Sequence, residues 1–296
     1  MDARERYFWD LNGHLVVRNV LDQDEIDEVN EALKIAIEGV RERQRSGARG
    51  SEALHGSSAR WYRGDNLLGL PHPHGVPFRK LLAHPQVISR LRVMCGRGFR
   101  LDHGPQFNNA VKDTEGLTMH GAGAPHRDMV AYKHQGGETY CGGVTVTWNL
   151  TDHPGNGTGG FAAVPGSHKS DFPMPEGVRD ATDHVGSIIN PEIRAGDVLF
   201  FADGAQTHGT LPWKNDWDRR SILMKYASRT STRQDVARCV APEVYWDDPI
   251  VQEMSAEERA VMFGPCSAPG REDMYLTVEE NGAVRLEHPE SAQRAT

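Results

Sequence analysis

Cysteine is scarce in this chain, and the few cysteines are far apart in the sequence. Among 296 residues there are four, and no two of them form a Cys-x-x-Cys pair: Cys95, Cys141, Cys239 and Cys266. A disulfide framework and a structural zinc site both need cysteines that lie close together. The sequence therefore predicts buried free thiols and a reducing, cytoplasmic location.

Long hydrophobic runs and an excess of positive charge are also lacking. No stretch approaches the length needed to cross a bilayer, and no apolar segment follows the charged N-terminal residues as it would in a signal peptide. The formal net charge at pH 7 is −8. Because nucleic acids attract basic proteins, we expect neither a nucleic acid nor a membrane as a partner. The sequence leaves the oligomeric state open.

What the chain does contain is a middle region of short β-rich segments that are separated by glycine and proline. Residues 144–148 and 198–201 are two such segments. Regularly spaced short strands between turns are typical of a β-barrel or jelly roll. We therefore predict a mainly β fold with flanking helices and, at a length that fits one domain, a single domain over residues 1–296. Its three parts are a helical N-terminal flank (1–98), a barrel or jelly-roll core (99–230) and a C-terminal extension (231–296).

Local patterns predict several further elements. Apolar residues at helical spacing predict a helix that begins near Asp22, and residues 15–17 predict a short strand. Residues 255–258 have the pattern of a helix capping box, and residues 281–282 have that of a hairpin turn. The polar stretch 45–75 is rich in Gly, Ser and His, and we predict that it forms a mobile loop or lid.

A His-x-Asp pair and one remote histidine are the residues that point to chemistry. His126 and Asp128 are two positions apart, and His208 follows some eighty positions later. Alternate residues of a strand point to the same side, so the pair could face a barrel interior. Two imidazoles and one carboxylate can occupy one face of an Fe(II) octahedron. In a chain with 14 histidines the pair alone is weak evidence, and a polar strand end explains it more simply.

The residues around His208 favour the metal hypothesis. An apolar segment precedes His208, Thr210 follows it, and Arg219 comes eleven positions later. Arginine can bind a carboxylate with two parallel hydrogen bonds, and a threonine hydroxyl can add a third. Such a set would suit a 2-oxo dicarboxylate that chelates iron at one end. Because neighbouring strand residues point in opposite directions, we predict that only one of Arg219 and Arg220 faces this site, and we favour Arg219.

With these residues in place, the sequence resembles the phytanoyl-CoA dioxygenase family of Fe(II)/2-oxoglutarate oxygenases. The resemblance covers most of the chain. The segments that carry it are Phe8 with Asn12-Gly13-His14-Leu15-Val16-Val17, His126-Arg127-Asp128, Asn156-Gly157, Val164-Pro165-Gly166-Ser167-His168, Gly196-Asp197 with Phe201, and His208-Gly209-Thr210 with Arg219.

The resemblance implies a double-stranded β-helix core, which is a cupin-like jelly roll. It also implies iron ligation by His126, Asp128 and His208, and 2-oxoglutarate binding by Arg219 and Thr210. Related halogenases have Gly or Ala where Asp128 stands. The resemblance therefore favours oxygenation, with O2 as the oxidant and succinate and CO2 as products.

Six further residues are candidates for the pocket walls. Trp148 matches an indole that lines the cosubstrate pocket in some relatives, but a core aromatic explains it equally well. Gln106 and Asn108 would share one strand face, either towards substrate or as a hydrogen-bonded interior pair. The remaining candidates for substrate contact flank the predicted metal-binding strand: His120, Tyr132 and His134.

The first hypothesis for function is an Fe(II)- and 2-oxoglutarate-dependent oxygenase that hydroxylates a small-molecule metabolite or natural-product intermediate. A CoA ester is less expected, because no strong cluster of basic residues could bind its phosphates. Two alternatives keep the fold: a cupin-like metal hydrolase or isomerase, and a non-catalytic small-molecule binding protein. The predicted dicarboxylate clamp argues against a hydrolase, and the complete ligand set argues against a binding protein.

Overall fold

Two β-sheets face each other, and helices pack against the outer side of the larger sheet. The computed structural model describes residues 1–37, 41–42, 46–58, 61–63, 67–121, 131–231, 242–246, 249–265 and 274–288. The larger sheet has seven strands in the order β1 (His14–Val17), β10 (Val198–Ala202), β8 (Gly143–Asn149), β12 (Arg219–Ala227), β4 (Arg100–Ala110), β3 (Trp61–Arg63) and β2 (Arg41–Glu42). The smaller sheet has three strands in the order β5 (Leu117–His120), β11 (His208–Leu211) and β9 (Gly160–Ala163). The helices are α1 (Ala3–Asn12), α2 (Gln23–Ile37), α3 (Val76–Leu82), α4 (Pro85–Met94), α5 (Glu176–Arg179), α6 (Pro242–Trp246) and α7 (Ala256–Ala260).

From β4 to β12 the strands of the two facing sheets alternate in sequence, as they do in a jelly roll. Two additional hairpins form separate two-stranded sheets. One consists of β6 (Tyr132–Gln135) and β7 (Glu138–Cys141), and the other of β13 (Tyr275–Val278) and β14 (Val284–Glu287).

Strand β8 contributes side chains to two buried regions, the main hydrophobic core and the space between the sheets. All seven of its residues are buried, so the strand has no solvent face. Val146 and Trp148 belong to the main hydrophobic core between this sheet and the helices, whereas Thr147 and Asn149 point to the space between the sheets. Alternate side chains leave opposite faces of a strand, which explains the split. The mainly β fold with flanking helices and a jelly-roll core, predicted from the sequence, is confirmed.

The N-terminal flank is tied to the sheets through a tight junction between α1 and β1. A capping box of Asp2 and Glu5 begins α1, and Gly13 ends it with a φ of +74°. A Cβ at Gly13 would lie only 2.4 Å from Nδ1 of His168, so no larger residue fits there without rearrangement. His168 itself donates from Nε2 to the Asp10 carbonyl at 3.0 Å. This histidine therefore has a structural role.

Several locally predicted elements are present. The strand predicted at 15–17 is β1, and the helix predicted near Asp22 is α2, which begins with a reciprocal hydrogen-bonded pair of Asp22 and Glu25. The capping box at Ser255 begins α7, and the turn at 281–282 joins β13 to β14. The stretch 45–75 is not a loop throughout, because β3 pairs on both sides, with β2 and with β4.

The structure also bears on the cysteines and on membrane spans. Cys95 and Cys141 are buried free thiols, and burial raises the pKa of Cys141 to about 12. Cys239 and Cys266 lie outside the described residues. In the part of the chain that the structure describes, no helix combines the length and hydrophobicity that crossing a membrane would need.

Candidate active site

A cavity of about 380 Å³ lies between the two sheets. Its walls come from both sheets, and the segment that follows β10 completes them. The apolar part of the wall includes Leu199, Phe201 and Leu223. Ten of the lining side chains are polar or charged, so this cavity can bind polar ligands: Gln106, Asn108, His120, Thr147, Asn149, Asp203, His208, Thr210, Arg219 and Lys225.

Strand β12 runs the length of the cavity and gives it two charged ends. Arg219, Leu223 and Lys225 all line it, because residues an even number apart share one strand face. The two cations are six positions apart, which is about 20 Å along a strand. We call the two parts of the cavity the Arg219 end and the His208 end, since His208 lies near Lys225.

His208 has the hydrogen bonding expected of a metal ligand. It is buried, and its Nδ1 donates to the Gln206 carbonyl at 2.8 Å. A carbonyl can only accept, so this bond fixes the tautomer and leaves the lone pair on Nε2. Burial, and next the neighbouring His120, lower the pKa of His208 to about 3. The ring is therefore neutral at physiological pH, which is the form that binds metals.

His120 lies directly beside His208. The two residues are register partners on β5 and β11, and their ring centroids are 4.2 Å apart. Nδ1 of His120 donates to the Thr118 carbonyl at 3.0 Å, and the ring lines the cavity. His120 therefore lies at the His208 end of the cavity, where the sequence analysis predicted a pocket residue.

Arg219, and not Arg220, points into the cavity. Arg219 is buried, and its side chain passes Gly160, where a Cβ would lie 3.4 Å from the guanidinium Nε. Arg220 leaves the opposite face of β12 and brings its Nη1 to 3.5 Å from Oδ1 of Asn30 on α2. Thr210 lines the same cavity, and its register partner Phe161 is the neighbour of Gly160. The geometry therefore places the predicted Arg219 and Thr210 together.

Gln106 and Asn108 also line the cavity, but three other predicted pocket residues do not. Trp148 faces the main core, where it packs edge-on against His84 at a centroid distance of 5.5 Å. Of its two interpretations, the core aromatic is the one that the structure supports, and its placement in the cosubstrate pocket is corrected. The alternation along β8 turns the indole away from the cavity.

Tyr132 and His134 belong to the β6–β7 hairpin, which lies outside the facing sheets. The Tyr132 hydroxyl donates to Asp10, and its ring packs edge-on against His168 at 4.5 Å. His134 is exposed and contacts Thr139 across the hairpin. Their prediction as substrate-pocket residues is therefore corrected: Tyr132 anchors α1, and His134 is a surface residue.

The sequence analysis missed two charged residues of the cavity wall, Asp203 and Lys225, and a histidine that is buried beside Arg219. Asp203 is almost fully buried, and its Oδ2 lies 3.2 Å from Nζ of Lys225. Lys225 could have been found, because it is an even number of positions from Arg219 on one strand. His153 is buried close to Arg219, and burial together with the Arg219 charge lowers its pKa well below the usual value. No local pattern marks Asp203 or His153, since only the fold brings them to the site.

The other two predicted metal ligands, His126 and Asp128, lie outside the described residues. Strand β5 ends at His120, whose ring is in the cavity, and the predicted ligands follow six and eight positions later. Within the described part of the chain, no group of three or more His, Cys, Asp or Glu side chains has the arrangement of a metal site. The ligand set therefore stays a prediction.

Comparisons with known proteins agree with this architecture. The family model of phytanoyl-CoA dioxygenase (PhyH) matches residues 9–221. HygX from Streptomyces hygroscopicus, solved with nickel, 2-oxoglutarate and hygromycin B, is 21% identical with a TM-score of 0.61, over 77% of this chain and 88% of that chain. No curated protein sequence matches the chain significantly.

Two proteins of nogalamycin biosynthesis have similar structures. The α-ketoglutarate-dependent epimerase SnoN is 25% identical with a TM-score of 0.52, over 77% of this chain and 83% of that chain. The carbocyclase SnoK is 17% identical with a TM-score of 0.53, over 78% and 86%. These similarities establish the fold. The epimerase and carbocyclase reactions are those of SnoN and SnoK and are not assigned to this chain.

Proposed function

Because the chain belongs to the phytanoyl-CoA dioxygenase family, we propose that it is an Fe(II)- and 2-oxoglutarate-dependent oxygenase that acts on a small molecule. One observation carries the proposal: His208 and Arg219 line the same cavity. A neutral imidazole with its lone pair on Nε2 can hold a metal, and a guanidinium can hold a carboxylate. A metal-chelating dicarboxylate needs both.

The residues present fit iron. The Gln206 carbonyl orients the His208 ring, as partners of metal-binding histidines commonly do. We propose His126 and Asp128 as the other two ligands, which would complete two imidazoles and one carboxylate. Iron(II), when bound together with 2-oxoglutarate, supplies the activation of O2 that no side chain of the protein can provide.

The residues present also fit 2-oxoglutarate. We propose that Arg219 binds the carboxylate remote from the metal with two hydrogen bonds and that Thr210 adds a hydroxyl contact. Leu199 and Leu223 line the cavity and provide apolar surface for the methylene carbons between the two acid groups. Burial of Arg219 excludes water from the ion pair and so strengthens it.

For the reaction we propose hydroxylation of a metabolite or natural-product intermediate. Support comes from the resemblance to the family, which aligns Asp128 with the position where related halogenases have Gly or Ala. HygX binds hygromycin B, and SnoN and SnoK act in nogalamycin biosynthesis, so small natural products are ligands of similar folds. An epimerase and a carbocyclase among them illustrate that one architecture serves several outcomes.

The test is succinate formation from 2-oxoglutarate by protein loaded anaerobically with Fe(II) and then exposed to air with a library of candidate metabolites. We expect succinate that depends on iron and increases with at least one library member. His208→Ala should abolish this succinate, while Arg220→Ala, which lies on the outer face of β12, should retain it. If 2-oxoglutarate did not bind to the iron-loaded protein, as measured by calorimetry, the proposal would be wrong.

A further inference from the structure

The His208 end of the cavity contains an ion pair to which the proposed binding of iron and 2-oxoglutarate assigns no role. Nζ of Lys225 lies 3.2 Å and 3.4 Å from the two carboxylate oxygens of Asp203. The Asp203 side chain is 5% exposed and that of Lys225 is 25% exposed, and both line the cavity. Part of the Lys225 side chain therefore remains accessible.

Fold stability does not account for this pair. Removing two charges from water is costly, and apolar residues of similar size often stabilise a protein as well as a buried ion pair does. Leu223, the preceding cavity-facing residue of β12, is apolar, so this face of the strand is not polar throughout. Among the described residues, the hydrogen bonds of the Lys225 ammonium group are to Asp203 alone, so N–H groups remain for a ligand.

The pair lies close to the proposed metal ligand. The Asp203 oxygen that is 3.4 Å from Lys225 is also 4.0 Å from Nε2 of His208. A substrate group that contacts this pair would therefore lie next to the side chain of His208.

The charges around this end determine which chemical group fits. Lys225 and Asp203 neutralise each other, and the positive charge of Arg219 would be neutralised by the remote carboxylate of 2-oxoglutarate. A charged substrate group would thus find no countercharge among the described residues of the cavity. A donor next to an acceptor, by contrast, matches a hydroxyl, which both accepts and donates a hydrogen bond. Gln106, the register partner of Leu223 on β4, adds another donor and acceptor.

We propose that Lys225 and Asp203 form a substrate-binding site for an uncharged, hydroxyl-bearing group, such as the neighbouring hydroxyls of a polyol or sugar ring. Lys225 donates to one oxygen, and Asp203 accepts from a hydroxyl. The contact orients the carbon beside that hydroxyl towards the metal. This inference rests on the proposed function, because it assumes that the reacting carbon lies next to His208.

The test is equilibrium binding of probes to anaerobic protein that holds Fe(II) and 2-oxoglutarate. Binding is measured by calorimetry and by the charge-transfer absorption of the iron complex. The uncharged probes are myo-inositol, methyl glucoside and sucrose; the charged and apolar probes are glucuronate, octanoate and octanoyl-CoA. We expect at least one uncharged probe to bind more tightly than every charged or apolar probe. Lys225→Met should raise the Kd of that probe by about 10-fold or more, because it removes one hydrogen bond to a charged group.

Matched variants separate recognition from folding. Lys214 is exposed outside the cavity, so Lys214→Met should leave every affinity unchanged. Lys225→Met removes the ammonium group beside the buried Asp203 carboxylate, a change that can destabilise the fold. The double variant Asp203→Asn with Lys225→Gln removes both charges at nearly constant volume, and it should bind 2-oxoglutarate within about twofold of the original protein.

Three results would overturn the inference while leaving the proposed oxygenase intact. They are no binding by any uncharged probe, tighter binding by octanoate or octanoyl-CoA, and uncharged-probe affinity that is unchanged in both the single and the double variant. Failure of the unaltered protein to bind 2-oxoglutarate would instead contradict the proposed function.

Discussion

At the scale of single residues, strand alternation decides which of two adjacent arginines reaches the cavity. Arg219 and Arg220 have the same chemistry, but Arg219 lines the cavity and Arg220 contacts Asn30 on α2. The register of β12 with β8 and β4 fixes this choice, since a shift by one residue would exchange all inward and outward side chains.

Replacing the two arginines one at a time tests this assignment. Arg219→Ala should raise the Kd for 2-oxoglutarate by roughly 10- to 100-fold, because hydrogen bonds between charged groups contribute about 1.5–3 kcal/mol. Iron binding should persist. Arg220→Ala is the matched control and should leave the Kd within about twofold. An increase in Kd for Arg220→Ala alone would mean that the roles are exchanged.

At the scale of elements, the junction between α1 and β1 depends on a glycine for two separate reasons. Gly13 has a positive φ, and a Cβ there would meet the His168 ring. Gly96 offers a comparison, since its φ is +87° but nothing lies within 4 Å of the place that a Cβ would occupy. Comparing alanine substitutions at the two positions therefore separates the cost of backbone strain from the cost of steric overlap.

We predict that Gly13→Ala lowers the free energy of unfolding by about 3 kcal/mol, from strain and overpacking together. Gly96→Ala should lower it by only about 1 kcal/mol, from the left-handed backbone conformation alone. Urea denaturation of both variants measures the difference. Equal losses would show that the His168 ring moves aside without cost.

The segment 45–75 also shows how elements differ from a prediction based on composition. Its polar, glycine-rich sequence suggested a loop, but residues 61–63 form β3 between β2 and β4. Leu54 and Leu67, on either side of β3, are fully buried. Strand pairing and two buried leucines outweigh a composition that by itself favours disorder.

At the scale of the whole molecule, both flanks are bonded to the β core. Strand β1 pairs with β10, and the Leu101 amide donates to the Val261 carbonyl at 2.7 Å. Leu276 of β13 is buried in the main core, and Arg92 of α4 donates to its carbonyl. We therefore propose that residues 1–296 form one domain, which a single urea transition seen by both tryptophan fluorescence and circular dichroism would support.

Buried histidines make the stability of the whole molecule depend on pH. Burial lowers the pKa of His168 to about 4 and of His208 to about 3, and that of His153 lies well below its usual value. In the unfolded chain each histidine titrates near pH 6.5, so the unfolded state takes up protons first as the pH falls. Stability is therefore complete above about pH 7 and decreases below about pH 6.5.

Urea denaturation of metal-free protein at a series of pH values measures this effect. Each of the three histidines should reduce the free energy of unfolding by up to about 1.4 kcal/mol per pH unit as the pH falls from about 6.5 towards 4. His168→Gln should reduce the slope by the share of one histidine. A free energy of unfolding that stays constant from pH 7 to pH 4.5 would contradict the prediction.

The sequence by itself determined the fold class and several local elements, and it pointed to His208, Thr210 and Arg219, which line one cavity. Each depends on a pattern within a short stretch: alternation along strands, helical spacing, capping residues, or spacing between motif residues. The resemblance to a family rested on such stretches too, and the match over residues 9–221 agrees with it.

Only the tertiary structure decided which side chains share the cavity. Asp203, Lys225 and His120 meet His208 because three strands and one turn converge, and no local pattern encodes that distance. Trp148 and Tyr132 have residue types that suit a pocket, yet β8 turns one into the core and the β6–β7 hairpin carries the other to α1. Strand direction and sheet register are properties of the folded chain, because they depend on partners far away in the sequence.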